Sequence, residues 1–181
     1  ENKALEPNKI RIKIKASAMC GSDLHIFKGM HPFCPLPATI GHEFSGDVVE
    51  VGSDVTKFKI NDRVTVEPCQ TCGVCTSCRS GQYSYCNDIS FLYRIGEGAM
   101  ADYIIAEEDH VFLLPEGMSY ETGALIEPLA VATHAVRRAD IKLGQSVVIF
   151  GSGAIGVLIA ALCRLSGAQK VIVVDGNPYR L

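Results

Sequence analysis

The feature that limits this chain most is Gly151-Ser152-Gly153-Ala154-Ile155-Gly156, lodged between the apolar run Ser146-Val147-Val148-Ile149-Phe150 and an alanine- and leucine-rich stretch that ends at Gly167. A second β-branched run, Lys170-Val171-Ile172-Val173-Val174, follows and ends on Asp175. Strand, glycine turn, helix over 154–167 and strand fold compactly as one βαβ unit with parallel strands. Runs without alternation read as strands buried on both faces. Each glycine has a task in such a unit. The first makes the tight turn, the second lets a pyrophosphate approach the backbone, and the third lets helix pack on strand. The helix N-terminus offers free N–H groups and its dipole to phosphates. Asp175, nineteen residues after the last glycine, is placed to accept hydrogen bonds from ribose hydroxyls and to repel a 2′-phosphate, which favours NAD over NADP. The candidate cofactor-binding residues are Gly151, Gly153, Ala154, Ile155, Gly156 and Asp175.

Upstream the texture differs. Ile10-Arg11-Ile12-Lys13-Ile14 alternates with period two, and Asp47-Val48-Val49-Glu50-Val51, Arg63-Val64-Thr65-Val66, Ala101-Asp102-Tyr103-Ile104-Ile105 and His110-Val111-Phe112-Leu113-Leu114 are short strand-like pieces until Pro115-Glu116-Gly117 stops the pattern. From Ser119 helix formers take over, with Pro128 expected to end or kink the helix. The fold class is therefore β plus α/β, with a β domain over 1–128 and the start of an α/β domain over 129–181. A lone βαβ unit cannot cover both faces of its sheet, so the stop at Leu181 predicts a truncated α/β domain, and Glu1 in place of Met predicts a trimmed N-terminus.

Composition removes other classes. The chain is 48% apolar and 20% charged, which excludes disorder, and a net charge of −3 with no like-charge run argues against nucleic acid or anionic membrane as partner. The apolar stretch 147–163 is only seventeen residues and is broken by three glycines, short of the ~20 residues of a membrane span.

Five of the eight cysteines crowd into Cys69-x2-Cys72-x2-Cys75-x2-Cys78-x7-Cys86, within a polar segment. Two-residue gaps let a chain offer successive thiolates to one tetrahedral zinc, and such crowding without a signal peptide reads as metal binding in a reducing, cytoplasmic setting. Five candidates for four places leave the ligand set open. A second group is scattered: Cys20, His42-Glu43 and Glu127. A thiolate, an imidazole and one or two carboxylates make a catalytic zinc site with an open position, but Cys20 also reads as a small buried residue, His42 as a turn histidine and Glu127 as a cap or surface charge, and spacing alone does not decide convergence. Cys34 and Cys163 read as packing residues, Tyr83-Ser84-Tyr85 as cover for the cysteine loop, and His31, His110 and His134 have no partner by spacing.

Taken together these residues resemble the zinc-dependent medium-chain dehydrogenase/reductase family over essentially the whole chain. Gly41-His42-Glu43-x2-Gly46-x5-Gly52-x2-Val55 is similar to its zinc signature, and Cys72, Cys75, Cys78 and Cys86 have its structural-zinc spacing, which leaves Cys69 as the extra cysteine. The stretch from Gly123 to Val131 with His134-Ala135-Val136-Arg137-Arg138 is most similar to the sorbitol/polyol and threonine dehydrogenase branch. The resemblance implies a GroES-like β-barrel catalytic domain followed by the first βαβ unit of a truncated Rossmann domain, with the active site in the cleft between them. It implies two zinc ions and NAD: Cys20, His42, Glu43 and Glu127 at the catalytic zinc, the four spaced cysteines at the structural one. Ser22 and His25 match its proton-relay positions, and Asp23 the carboxylate that orients His42. The implied reaction is hydride transfer between a secondary alcohol or polyol and NAD, in a homo-oligomer, dimer or tetramer. The other reading is a non-catalytic zinc-binding fragment. Ile26 departs from the branch, which commonly carries an aromatic there, and the loop over 29–38 is shorter than is usual in it.

Overall fold

The computed structural model describes residues 4–34, 36–92 and 98–181. Pro35, within the loop over 29–38, lies outside the described residues. The chain divides into two units, Glu1–Leu125 and Ile126–Leu181.

The first unit contains β1 (Lys9–Ala18), α1 (Gly21–Phe27), β2 (Glu43–Val51), β3 (Arg63–Val66), β4 (Cys69–Gln70), α2 (Thr76–Arg79), β5 (Ser90–Phe91), β6 (Tyr103–Glu107), β7 (Val111–Leu113) and α3 (Tyr120–Ala124). Five strands form one antiparallel sheet, a half-barrel of order β6-β1-β2-β3-β7. The alternation of β1 does what period two requires: Ile10 and Ile12 are buried while Lys13 and Lys15 face solvent. They pack with Phe44, Val48, Val64, Val66, Leu92 and Ile104 as the core. β2 is buried from Glu43 to Gly46 and at Val48, with α3 packed over it and the Ser45 hydroxyl donating to the Tyr120 carbonyl at 2.6 Å. Arg63 stacks on the Tyr120 ring at 4.2 Å and donates to the Met118 carbonyl at 2.6 Å, which holds α3 to the sheet.

The second unit contains α4 (Ile126–Ala139), β8 (Ser146–Phe150), α5 (Ala154–Leu165) and β9 (Lys170–Val174). β8 and β9 pair in parallel, as the glycine turn predicts, with Ser146 opposite Lys170 and Phe150 opposite Val174. Val136, Ile149, Cys163 and Ala168 form its core. The helix break expected at Pro128 falls instead at Leu125, between α3 and α4. Pro128 is the third residue of α4, where its missing N–H would have no intrahelical partner anyway. The expectation that both strands are buried on two faces does not hold for the described residues: Val148 is 51% and Phe150 84% exposed. Alternate residues on each strand face the core, and the opposite face carries the exposed apolar set.

Candidate metal and nucleotide sites

The antiparallel register explains why residues 22 positions apart in the chain meet. Ala18 of β1 pairs with Glu43 of β2, so the end of that ladder delivers Cys20, just beyond β1, beside His42 and Glu43, at the start of β2. Donor atoms of Cys20, His42 and Glu43 all lie within 4.8 Å of one another, and His42 and Glu43 are buried. Cys20 is the N-cap of α1.

Asp23 ties the two strands' contributions together. Its buried carboxylate accepts the Cys20 N–H through Oδ2 and the Gly41 N–H through Oδ1, both at 2.9 Å. The same Oδ1 stands 3.6 Å from His42 Nδ1, which leaves Nε2 as the ring nitrogen available to a metal. Gly41 adopts φ +95°, and a Cβ there would stand 2.9 Å from the Met100 backbone nitrogen, so this turn requires glycine. Met100 and Ala99 in turn donate to the carbonyls of Ile40 and Gly41 at 2.8 and 2.9 Å.

The charges follow this geometry. Hydrogen bonding from His42 pulls the Cys20 thiol below its usual range, against burial. Burial works against charge on His42 too, but the nearby Asp23 carboxylate and Cys20 thiol outweigh it and raise the imidazole to about 10. Burial also opposes ionisation of Asp23, yet His42 and the two backbone N–H groups hold it below the ordinary carboxylate range, while burial pushes Glu43 up. A thiolate, an imidazole and a carboxylate with donor atoms this close together are a set that suits zinc.

Ser22 and His25 stand three residues apart on α1, on one flank, Ser22 half-buried and His25 exposed. Ile26 is 0% exposed, packed with Cys34, Ala38, Ile40 and Phe91, so the departure noted at this position lies in the core, while the neighbouring Phe27 is 75% exposed. Glu127 lies in the first turn of α4, in the second unit, whereas the three clustered donors lie in the first.

The cysteine lobe, part of the first unit, departs from it through β4 and comes back through β5 as a loop, with Cys69 opposite Phe91. Of the five candidates the structure brings together Cys72, Cys75, Cys78 and Cys86, and leaves Cys69 in the ladder at the base. Sulfur–sulfur distances are 3.5 Å for Cys75–Cys78, 3.6 Å for Cys72–Cys86 and 4.0 Å for Cys72–Cys78. A tetrahedron of 2.3 Å zinc–sulfur bonds has edges of roughly 3.8 Å, so the cage already has the size of the ion. None of the eight cysteines is in a disulfide. Backbone N–H groups of Cys72 and Asp88 point at the Cys86 sulfur at 3.4 and 3.3 Å, and that of Cys75 at Cys72 at 3.4 Å. Hydrogen bonds of this kind favour thiolate: Cys75 is lowered to about 6, chiefly by the Cys78 N–H and then by its thiol. Cys78 is pushed up to about 11 by burial and by hydrogen bonding with the neighbouring Cys75 and Cys86 thiols.

Two histidines without a partner by spacing do have one in space. Phe33 N–H donates to His31 Nδ1 at 3.3 Å, and His110 Nδ1 faces Glu67 Oε2 at 3.9 Å. Both pairings depend on loop geometry that spacing does not encode.

At the nucleotide end Gly151 takes φ +104°, as a tight turn requires. A Cβ on Gly156 would fall 1.9 Å from the Gly151 carbonyl, so the third glycine clears the turn rather than the strand. Asp175 Oδ2 accepts the Ser152 N–H at 2.8 Å and its hydroxyl at 3.2 Å, which places the carboxylate inside the glycine loop.

A family model, the alcohol dehydrogenase GroES-like domain, matches residues 6–116. This chain belongs to that family. The relatives of this GroES-like alcohol dehydrogenase domain include sorbitol dehydrogenase of Bacillus subtilis (strain 168), 40% identical over 178 residues, 96% of this chain and 50% of the relative. Galactitol-1-phosphate dehydrogenase from Escherichia coli has a similar structure, with TM-score 0.90, 37% identity, and coverage of 99% of this chain and 51% of that one. So does a protein of Sinorhizobium meliloti 1021 assigned as a zinc-binding dehydrogenase and bound to NADP, with TM-score 0.92, 34% identity, and coverage of 98% and 52%. The chain spans about half the length of the curated relatives it matches. Among the described residues no helix is long and apolar enough to cross a membrane.

Proposed function

We propose that the intact protein is a zinc-dependent oxidoreductase that transfers hydride between a secondary alcohol or polyol and NAD. The observation that supports this best is the convergence of Cys20, His42 and Glu43 at the end of the β1–β2 ladder, braced by Asp23. When bound, zinc supplies a Lewis acid that acidifies a coordinated alcohol and the dinucleotide supplies the hydride acceptor. The chain's own residues do the rest. Cys20, His42 and Glu43 would hold the metal, and Asp23, beside Nδ1 of His42, leaves the other ring nitrogen to ligate it. Ser22 takes the alcohol proton and His25, exposed on the same flank of α1, releases it to solvent. Glu127 is proposed as an exchanging ligand on the strength of the resemblance. Cys72, Cys75, Cys78 and Cys86 hold a second, structural zinc, and Gly151, Gly153, Ala154, Ile155, Gly156 and Asp175 take the dinucleotide.

The domain bounds proposed are 1–128 for the catalytic part and 129–181 for the nucleotide part. A cytoplasmic location is proposed from the crowding of five cysteines at metal-ligand spacing, and a homo-oligomer is proposed for the intact protein. The deciding experiment is zinc content together with NAD reduction by secondary alcohols and polyols. Two zinc per chain and turnover that disappears in Cys20→Ser support the reading. Turnover unaffected by Cys20→Ser overturns it.

A further inference from the structure

The strand that feeds the cysteine lobe carries, at its root, a charged residue that neither metal cluster uses. β3 ends at Val66 and β4 begins at Cys69, so Glu67 and Pro68 are the step from main sheet to lobe. His110 grips that step twice. Its carbonyl accepts the Glu67 N–H at 2.8 Å, and its Nδ1 faces Glu67 Oε2 at 3.9 Å, with the two side chains 15% and 29% exposed. That separation is beyond hydrogen-bond range, and the buried Nδ1 has no hydrogen-bond partner among the described residues, so the side chains interact through charge. From the lobe's side, the charge of Glu67, ahead of burial, pushes the Tyr83 phenol above the usual tyrosine range. Tyr83 opens the single turn Tyr83–Tyr85, and its carbonyl accepts the Cys86 N–H at 2.9 Å. One carboxylate thus stands between a residue of the sheet and the segment that delivers the last thiol of the cage. The lobe's return is fastened at the same root, where the Leu92 N–H donates to the Pro68 carbonyl at 3.1 Å.

We propose that Glu67 is the latch of the cysteine lobe, a positioning residue held by His110 on the sheet side and met by Tyr83 on the lobe side, which keeps the four thiols on their metal most firmly when the imidazole is protonated. This role rests on the structural-zinc reading of Cys72, Cys75, Cys78 and Cys86. The groups that act on His110 all favour its charge. Glu67 comes from just after β3, Glu107 from the end of β6 and Asp109 from the turn between β6 and β7, and together they hold the imidazole above its usual value against burial. Lys57 offsets part of this by pairing with Asp109 at 2.5 Å. A histidine raised in the folded protein keeps its proton, and with it the grip on Glu67, in mild acid, and loses both as pH rises through the folded value.

The test is the rate at which zinc passes from the intact, zinc-loaded protein to an excess of chelator, followed for wild type, Glu67→Gln, Tyr83→Phe and His110→Gln from mild acid to alkaline pH. The phase that belongs to the lobe is the one missing in Cys86→Ser. Each variant is compared with wild type at the same pH, because acid alone loosens zinc–thiolate bonds. Glu67→Gln and Tyr83→Phe should speed the lobe's release about threefold or more and leave release of the other zinc unchanged. His110→Gln should speed it about two- to fivefold in mild acid and not at all in alkaline solution, and adding it to Glu67→Gln should change nothing further. Hydrogen exchange over 71–88 should rise in step with the release rate. Tyr83 is 46% exposed, so Tyr83→Phe keeps the fold and carries the test even where Glu67→Gln does not. A lobe release unchanged in Glu67→Gln or Tyr83→Phe, a His110→Gln effect equal at every pH, or equal speeding of both zincs overturns the latch. A wild type that binds no zinc at the four cysteines overturns the structural-zinc reading itself.

Discussion

The two metal-capable clusters of the first unit are built by opposite means. The cysteine lobe draws all four donors from positions 72–86 and closes on a two-residue ladder, so its geometry is a local property of a loop. The Cys20, His42 and Glu43 cluster has no local closure. It exists because β1 and β2 pair in one register, because Gly41 permits a turn no other residue fits, and because Asp23 spans the gap. A local cage answers to its own spacing, whereas an assembled site answers to the sheet beneath it. The first suits a structural task and the second a reactive one, since an open coordination position needs rigid support from outside the ligands.

Crossed cysteine variants give the largest expected effect. Cys86→Ser should release one zinc per chain and lower the melting temperature while Cys20→Ser should release the other and abolish turnover, read by metal analysis, calorimetry and assay. Loss of both ions in either variant would show that the clusters are not independent. Next, Asp23→Asn keeps shape but removes the charge that braces the assembled site, and zinc affinity there should fall about 10–100-fold with the lobe's affinity unchanged, measured by competition with a chelator. Gly41→Ala forces a side chain against Met100 at positive φ and should cost about 1–3 kcal/mol in urea unfolding. An equivalent substitution at Gly73, where φ is +69° and no atom stands within 4 Å, should cost less, because only the backbone term remains.

The smallest effect concerns the contact between Glu67, just after β3, and His110, just before β7. The Glu67 carboxylate facing it raises His110, against burial. The folded state therefore holds the imidazole proton more tightly than the unfolded chain, and the stabilisation is complete below the unfolded value near ~6.5 and fades as pH rises through the folded one. The stability gap between wild type and His110→Gln should accordingly be widest in mild acid and narrow toward alkaline pH. A gap that widens with pH would reverse the sign assigned to the pair.

The sequence was most readable where structure is local. The glycine turn, β8, β9, β3 and the alternation of β1 stand where patterns of period two and unbroken apolarity place them. Spacing by itself could not choose among five cysteines; the ladder that pairs Cys69 with Phe91 makes the choice by keeping Cys69 at the lobe's base. Convergence of Cys20 with His42 was legible only through resemblance, because a register is a relation between strands and no short pattern carries it. Pro128 misled because a proline in the first turn of a helix looks, in sequence, the same as one that ends it. The buried-strand reading of β8 and β9 met a sheet of two strands, in which the described helices leave Phe150 and Val148 uncovered.

The path of the cysteine lobe has a consequence for how such chains diversify. It departs at Gln70 and returns at Ser90, partners across the ladder, so everything between is a cassette whose two ends already touch. Such an insert can be lengthened, shortened or excised and replaced by a tight turn without rethreading a single strand of the main sheet. Lineages can therefore gain or lose this domestic anchor while the reactive framework of β1, β2 and Asp23 is inherited intact.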